Sequence, residues 1–587
     1  MTGKNSGGLI DLPLGKEAAD VFIHNARVLC VYTGRVLSGY NVVIKGKHIG
    51  YVGPSTAMTG PDTQIIDGQD QILVPGYIDA HAHGDYITSP PALARAVVPR
   101  GTTGLLSDTH DLCGALGARG MELMLELTEG LPLKFYLCLP VTNPALPEIE
   151  GGDILSAGEF QYYLNHPRVV SASELVGWKR VIDGDPVVLI KLAAIRAAGK
   201  RVEGHAAGCS LEKLSALINA GVTSCHESIS PRDVEQRLTA GLYTMVRHGS
   251  IRQELPALAG LLAEDWAERG RLLLTPDWMS PGDIMENGYM DFIIKEAIGR
   301  GVPPVRAIRM AAINPATYLG LDNLVGGIAP GRLADINFLE SLENPVPVRV
   351  MVEGKMAAEN GKLLTDIPGR CPAFTTADWR PGRVPAFRPR AEHFRVPAPE
   401  PGAARQTVPA MRFAGGTLTR LEEVTLPVQD GLLVPEGDVL KISMLHLDGR
   451  KFVTAFLTGF GARIGGLALS VAHDHHMPMV LGCRDEDMAV AVNRMLELGG
   501  GLVAVQDGRV TAECALPVGG IMSPREVPEL AGELAAVEDY LRAAGCRSDR
   551  PFVTLAFLSF VGIPYARITP RGLYDVRQGK IVFPARD

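Results

Sequence analysis

The sequence predicts an α/β protein. A (β/α)8 TIM-like barrel is joined by a small composite β-sandwich domain and an additional C-terminal α/β (α+β) domain. Three observations predict this. The chain has 587 residues, more than one hydrophobic core organises. Its middle alternates short apolar runs with segments of helical spacing eight times, the count and span such a barrel requires. Text of a different, strand-and-turn style lies on both sides of that middle.

Residues 1–70 carry the first part of the small β domain. From Asp20 to about Leu73, "VFIHNARVLCVYTG", "GYNVVIKGKHIGYVG" and "TQIIDGQDQILV" alternate apolar and polar residues. Gly, Asn and Asp punctuate them, which predicts short antiparallel strands. The same style returns over 326–365 in "GRLADINFLE" and "VRVMVEGKMAAENGKLL", so both flanks contribute to one domain. The barrel spans 71–325. Its strand texts are "QILVPGYIDAHAH", "TTGLLSD", "KFYLCLP", "VVSASE", "KRVEGH", "VTSCH", "GLYTMVR" and "RLLLTPD". Helical patterns such as "SLEKLSALINAG" separate them, with Ser210 as an expected N-cap and Lys213 where a capping box would place Glu. Residues 366–410 are rich in Pro and Arg and predict an extended connector packed along the surface. Residues 411–587 alternate strand-like "KFVTAFLTGF" and "GGLVAVQDGRV" with helix-like "DEDMAVAVNRMLELGG" and "VPELAGELAAVEDYLRAAG".

Composition narrows the function. With 46% apolar and 21% charged residues the chain reads as a soluble globular protein. A net charge of −8 argues against nucleic acid or an anionic membrane as the main partner. No apolar run is long enough to span a bilayer, and "MTGKNSGGLIDLPLG" lacks the apolar centre of a signal peptide. Nine scattered cysteines without a C-x-x-C pair fit reduced thiols, hence a cytoplasmic location.

Chemistry gathers at the expected strand ends. His81 and His83 end the first strand, Asp108 and His110 the second, and Glu174 the fourth. His205 ends the fifth, His226 and Glu227 the sixth, and Asp277 the eighth. The C-terminal strand ends of a barrel line its active site. His81 and His83 are two apart, so on a strand they share a face and can grip one ion. Imidazoles with carboxylates and no Cys suit Zn²⁺, Mn²⁺ or Fe²⁺ in a catalytic site. Glu174 can bridge two ions, and Asp277 can hold a bound water and take its proton. Metal binding lowers the pKa of that water from about 15.7 to roughly 7, which predicts metal-assisted hydrolysis of an electrophilic carbon. Taken singly, each motif has a plainer reading: H-x-H in a solvated loop, Glu174 or Asp277 as a helix N-cap. The joint pattern outweighs these. "VAHDHH" (His473, Asp474, His475, His476) has ligand types and spacing but falls on no expected barrel strand end. It reads as a polar turn at a domain interface, the other reading being a contribution to the active site or to a further ion.

These residues resemble the amidohydrolase superfamily, and more closely the bacterial adenine deaminase family. "VPGYIDAHAH", "GHAAG", "CHES", "RHGS", "INPATYLGL" and "GIAPGRLADINFL" are similar to its landmarks. So are "GLALSVAHDHHMPMVLGCRDEDMAVAVNRMLELGGGLVAVQDGRV" and "FLSF" followed by "TPRGLYDV". The resemblance implies a binuclear Mn²⁺ or Fe²⁺ centre, with Zn²⁺ also suited, and conversion of adenine to hypoxanthine and ammonia. It implies that His81 and His83 hold one ion, His205 and His226 the second, with Glu174 bridging and Asp277 as ligand and proton shuttle. Asp108 and His110 match a D-x-H element that contacts substrate, and Glu227 is the candidate that protonates the purine N1. The sequence departs from the family twice. "GDYITSP" (Gly84, Asp85, Tyr86) stands where Ile-Glu-Ser-Ser is usual, and Thr275-Pro276-Asp277-Trp278 where Thr-Asp-Asp is usual. Both lie where substrate would be gripped, and Asp85 is a substrate-binding candidate there. A modified purine, another cyclic amidine, a cyclic amide opened by hydrolysis, and a catalytically silent relative stay open beside adenine. The partners expected are a small purine and further copies of the chain, as a dimer or higher homo-oligomer.

Overall fold

The structure is a computed structural model that describes residues 6–584 apart from positions 269, 368, 370 and 401. Eight parallel strands carry the predicted ends: β1 (Tyr77–Ala82), β2 (Thr102–Ser107), β3 (Lys134–Leu139), β4 (Val169–Ala172), β5 (Arg201–Val202), β6 (Ser224–Cys225), β7 (Tyr243–Arg247) and β8 (Leu272–Thr275). They form a five-stranded sheet in the order β5-β4-β3-β2-β1 and a three-stranded sheet β6-β7-β8. Contacts join the sheets at both edges. Ala82 and Asp277 form a parallel bridge, and the Thr223 N–H donates to the Val202 carbonyl at 2.9 Å. Helices follow the strands as the 3.6-residue spacing predicts. Ser210, for instance, caps Leu211–Ala220 by accepting from the Lys213 N–H.

The expected first strand proves to be two. Ile72–Pro75 pairs antiparallel with Ile336–Leu339, and only Tyr77–Ala82 joins β2. Gly76 stands between them, and a Cβ there would lie 2.2 Å from Thr103 Oγ1, so the close approach of the neighbouring strand requires Gly. The N-terminal strands are not purely antiparallel either. Val21–His24 runs parallel to Gln64–Asp67, and Arg27–Cys30 parallel to Ile72–Pro75. Four strands from after the eight-stranded part and three from before it share one seven-stranded sheet, meeting where Ile336–Leu339 pairs with Ile72–Pro75. A four-stranded sheet faces it across Val21, Ile23, Val28, Val42, Ile44, Leu73, Ile336 and Phe338.

The expected connector ends earlier than its composition suggests, because Arg405–Gly415 is already a strand of a nine-stranded sheet. Nor does it run only over the surface. Phe394 and Arg383 are buried, and Arg383 donates to the His476 carbonyl and, at 2.7 Å, to that of Ala115. Helices Asp485–Glu497, Val527–Ala543 and Pro551–Phe557 pack in this C-terminal part. It sits over the strand ends: Met522–Ser523 pairs parallel with Ile87–Thr88, and Tyr86 and Trp278 share an apolar cluster with Phe552, Phe557 and Phe560. Burying each such side chain contributes roughly 1.5–3 kcal/mol, ample to hold this roof in place. Among the described residues all nine cysteines are free, and no helix is long and apolar enough to cross a membrane.

Candidate metal centre

The strand ends converge. His81 Nε2 and His83 Nε2 each lie 3.3 Å from Asp277 Oδ1. His83 Nε2 is 3.6 Å from Glu174 Oε1, while Glu174 Oε2 is 3.0 Å from His226 Nε2 and 2.5 Å from His205 Nδ1. All six residues are buried, and the His81 and His226 rings stack at 4.3 Å. Period-2 geometry places His81 and His83 on one face, as their spacing predicts. Asp277 reaches them through local backbone: its φ of 68° is left-handed, which Asp tolerates better than most residues. Thr275 Oγ1 accepts from the Asp277 N–H at 2.9 Å, and the His83 N–H donates to the Asp277 carbonyl at 3.1 Å.

The donor set fits divalent cations. His81 Nε2 and His205 Nε2 are buried without a hydrogen-bond partner, and His81 with His83 and Asp277, or with Glu174 and His226, brings three ligand atoms within 4.8 Å of one another. Each imidazole of the first pair is braced from behind by a carboxylate. Glu203 Oε2 lies 2.8 Å from His81 Nδ1, and Asp111 Oδ2 lies 2.9 Å from His83 Nδ1. This arrangement leaves both Nε2 atoms for an ion, and such bracing groups tune metal affinity. Glu203→Gln is expected to weaken metal binding by about 10–100-fold, read by titration of the metal-stripped protein; unchanged affinity would remove Glu203 from this role.

Electrostatics organise the rest. Burial raises the Asp79 carboxyl to about 7, although the Tyr289 and Thr275 hydroxyls donate to it, both at 2.7 Å. Arg247 ends β7 fully enclosed. It donates to Glu227, to Glu254 at 3.0 Å and to Asp277 Oδ2 at 3.3 Å. Burial would raise the Glu227 carboxyl, but Arg247 and then His205 overcome that and hold it at about 2. Glu227 therefore does not point away from the cluster: its Oε1 is 3.6 Å from His226 Nε2.

The Asp108 carboxylate accepts from the backbone N–H groups of Thr109 (2.7 Å), His110 (3.0 Å) and Glu174 (2.9 Å), so it fixes the loops that carry its neighbours. The His110 ring lies between two carboxylates, with Asp108 Oδ1 2.9 Å from its Nδ1 and Asp474 Oδ1 3.2 Å from its Nε2. Asp85 accepts from the Leu112 N–H at 2.8 Å through Oδ2, and its Oδ1 has no hydrogen-bond partner.

Several residues here were not singled out by position in the sequence. Glu203 precedes His205 by two, and Asp79 precedes His81 by two, so the same period-2 rule that pairs His81 with His83 would have found both. Arg247 closes the one later strand for which no ionisable end was assigned. Asp111 stands beside the D-x-H element, in the first turn of helix α1 (His110–Leu116). The His473–His476 cluster falls at the interface its reading as a polar turn expects, and it also reaches the strand ends: Asp474 Oδ1 is 3.2 Å from His110 Nε2, and the His473 ring centroid is 5.9 Å from that of His83. Residues far along the chain reach the strand ends because the C-terminal part roofs them.

Comparison with known proteins gives the family. Residues 72–357 match the Amidohydrolase family, and residues 416–580 match the Adenine deaminase C-terminal domain. The adenine deaminase of Moorella thermoacetica is 36% identical over 583 residues, covering 98% of this chain and 97% of its own. This chain belongs to the adenine deaminase family. Within that family, the Rubrobacter xylanophilus adenine deaminase is also 36% identical, over 96% of this chain and 94% of its own. The Kosmotoga olearia adenine deaminase is 33% identical over 98% of each. Among solved structures, the beta-aspartyl dipeptidase of Fervidobacterium islandicum AW-1 is similar over 60% of this chain and 99% of its own, at 16% identity and a TM-score of 0.46.

Proposed function

We propose that this chain is a metal-dependent aminohydrolase that converts adenine to hypoxanthine and ammonia. The observation that carries the reading is the match to adenine deaminases from end to end, the C-terminal block included. In this reading the eight strands close as a (β/α)8 barrel over 71–325. Support comes from the bridge between Ala82 and Asp277, which links the first strand to the end of the last. Residues 1–70 and 326–365 form the composite β-sandwich, 366–410 connect, and 411–587 form the C-terminal domain. The nine free thiols support a cytoplasmic enzyme. A homo-oligomer is part of the proposal.

His81 and His83 would hold one ion and His205 and His226 another, with Glu174 between them and Asp277 at the first. Mn²⁺ or Fe²⁺ suits these donors, and so does Zn²⁺. When bound, such ions activate water at neutral pH and polarise the bond under attack. The chain supplies the rest. Asp277 Oδ1, 3.3 Å from both Nε2 atoms, is placed to take the proton of the attacking water. Burial works against its ionised form, but His81 and His83, and then Arg247 at its other oxygen, outweigh that. Glu227 is ionised beside Arg247, so it can protonate the purine N1 only after taking a proton during the reaction. Asp108 positions the substrate-facing loops and lies 2.9 Å from His110 Nδ1, so His110 would face a purine edge as an imidazole held between Asp108 and Asp474.

A second reading, a substituted 6-aminopurine, is favoured by Asp85 Oδ1 and the Tyr86 hydroxyl. Both are buried without hydrogen-bond partners at the position where the chain departs from the family. The test is to purify the chain with Mn²⁺ and screen adenine, substituted adenines and other aminopurines for ammonia, with cyclic amides scored for ring opening. Ammonia from adenine is expected. Ammonia only from substituted adenines would move the substrate to the second reading, and ring opening without ammonia would overturn both.

A further inference from the structure

We propose that the chain binds an additional divalent transition-metal ion through Asp111, His473 and His476, apart from the pair assigned to His81, His83, Glu174, His205, His226 and Asp277. Asp111 Oδ1 is 3.0 Å from His473 Nδ1 and 2.7 Å from His476 Nε2, and the three ligand atoms lie within 4.8 Å of one another. Asp111 and His476 are fully enclosed and His473 is 5% exposed. None of the three is a ligand of the pair.

The angle at His473 points to an ion. Its Nδ1 has a carboxylate oxygen 3.0 Å away and still makes no hydrogen bond. A ring nitrogen and an oxygen side by side, aimed past each other, are what two ligands of one ion present. His81 Nε2 shows the same relation to Asp277 Oδ1 at 3.3 Å, where family chemistry also requires a metal. The surrounding charge agrees. Asp85, Asp108 and Asp474 are buried beside Asp111, and the one His110 imidazole serves two of them, 2.9 Å from Asp108 Oδ1 and 3.2 Å from Asp474 Oδ1. Buried carboxylates without a matching cation are costly, and a divalent ion offsets them. Two imidazoles and one carboxylate suit Zn²⁺, Mn²⁺ or Fe²⁺ better than Mg²⁺ or Ca²⁺.

Such an ion cross-links α1 to the turn at His473–His476. Asp111 uses its other oxygen on His83 Nδ1 at 2.9 Å, so the ion also fixes the carboxylate that braces a ligand of the pair. The ion count rests on the binuclear reading above; the site itself does not.

Wild type, H81A/H83A and H473A/H476A are loaded with Mn²⁺ alone, desalted and analysed for Mn per chain. Metal-coupled stoichiometry predicts about three ions in wild type and about two in each double variant, since each removes the ligands of one ion. Equal Mn in wild type and H473A/H476A overturns the proposal and leaves His476 as a simple hydrogen-bond donor to Asp111. A single ion in wild type that only H473A/H476A loses would sink the pair and keep this site. If H473A/H476A does not fold, anomalous scattering at the Mn edge from wild-type crystals decides. A peak bonded to Asp111, His473 and His476 supports the ion, and no peak there overturns it.

Discussion

Asp277→Asn is expected to lower kcat for ammonia release by about 10²–10⁴-fold, the range for a positioned acid–base group. The substitution keeps the shape of the side chain and an oxygen that can face the ion. What it removes is the capacity to take a proton. The structure places that capacity at the junction of three groups: Oδ1 lies 3.3 Å from both His81 Nε2 and His83 Nε2, and Oδ2 lies 3.3 Å from Arg247. The left-handed backbone at Asp277 is equally available to Asn, so no new strain enters. Metal per chain and melting temperature should stay near wild type while turnover falls. Wild-type turnover in the variant would end the proton-shuttle assignment. Loss of metal together with turnover would make Asp277 a ligand first.

Much of this site was legible because it obeys a local rule. Strands β1 to β8 fall where apolar runs meet turn residues, and the ligand-type residues stand at or just beyond their ends. Period-2 alternation puts His81 and His83 on one face, and it would have put Glu203 with His205 and Asp79 with His81. What the rule cannot reach is anything assembled by distant packing. His473 and Asp474 arrive at His110 because Tyr86 and Trp278 bury themselves against Phe552, and no spacing within "VAHDHH" encodes that contact. The split at Gly76 is of the same kind. The text from Gln71 to His83 reads as one continuous strand, but its two halves pair with partners in different sheets, Ile336–Leu339 and Thr102–Ser107. The connector misled through composition: Pro and Arg suggest a solvated segment, but Arg383 finds carbonyl partners on two sides and is buried between them.

Arg247→Met should destabilise the chain more than any other single substitution at the site. Arg247 is 3% exposed and faces Glu227, Glu254 and Asp277 at once. Removing one partner of a buried ion pair costs about 3–5 kcal/mol, because the remaining charge is left without compensation. Here up to three carboxylates lose the same cation. A chain of this length is not expected to unfold in two states, so the apparent melting temperature and the urea midpoint are the measurements. Arg247→Lys should fall between wild type and Met, since an ammonium restores the charge but not the fork that reaches several oxygens. The pH dependence tests whether charge is the cause. Glu227 is depressed from its ordinary 4.5 to about 2, so the stability it draws from Arg247 is complete above pH 4.5 and is lost as the pH falls towards 2. The gap between wild type and Arg247→Met should therefore be full at pH 7 and narrow below pH 4.5. A gap that stays constant down to pH 2.5 would mean that Arg247 acts by packing, not by charge.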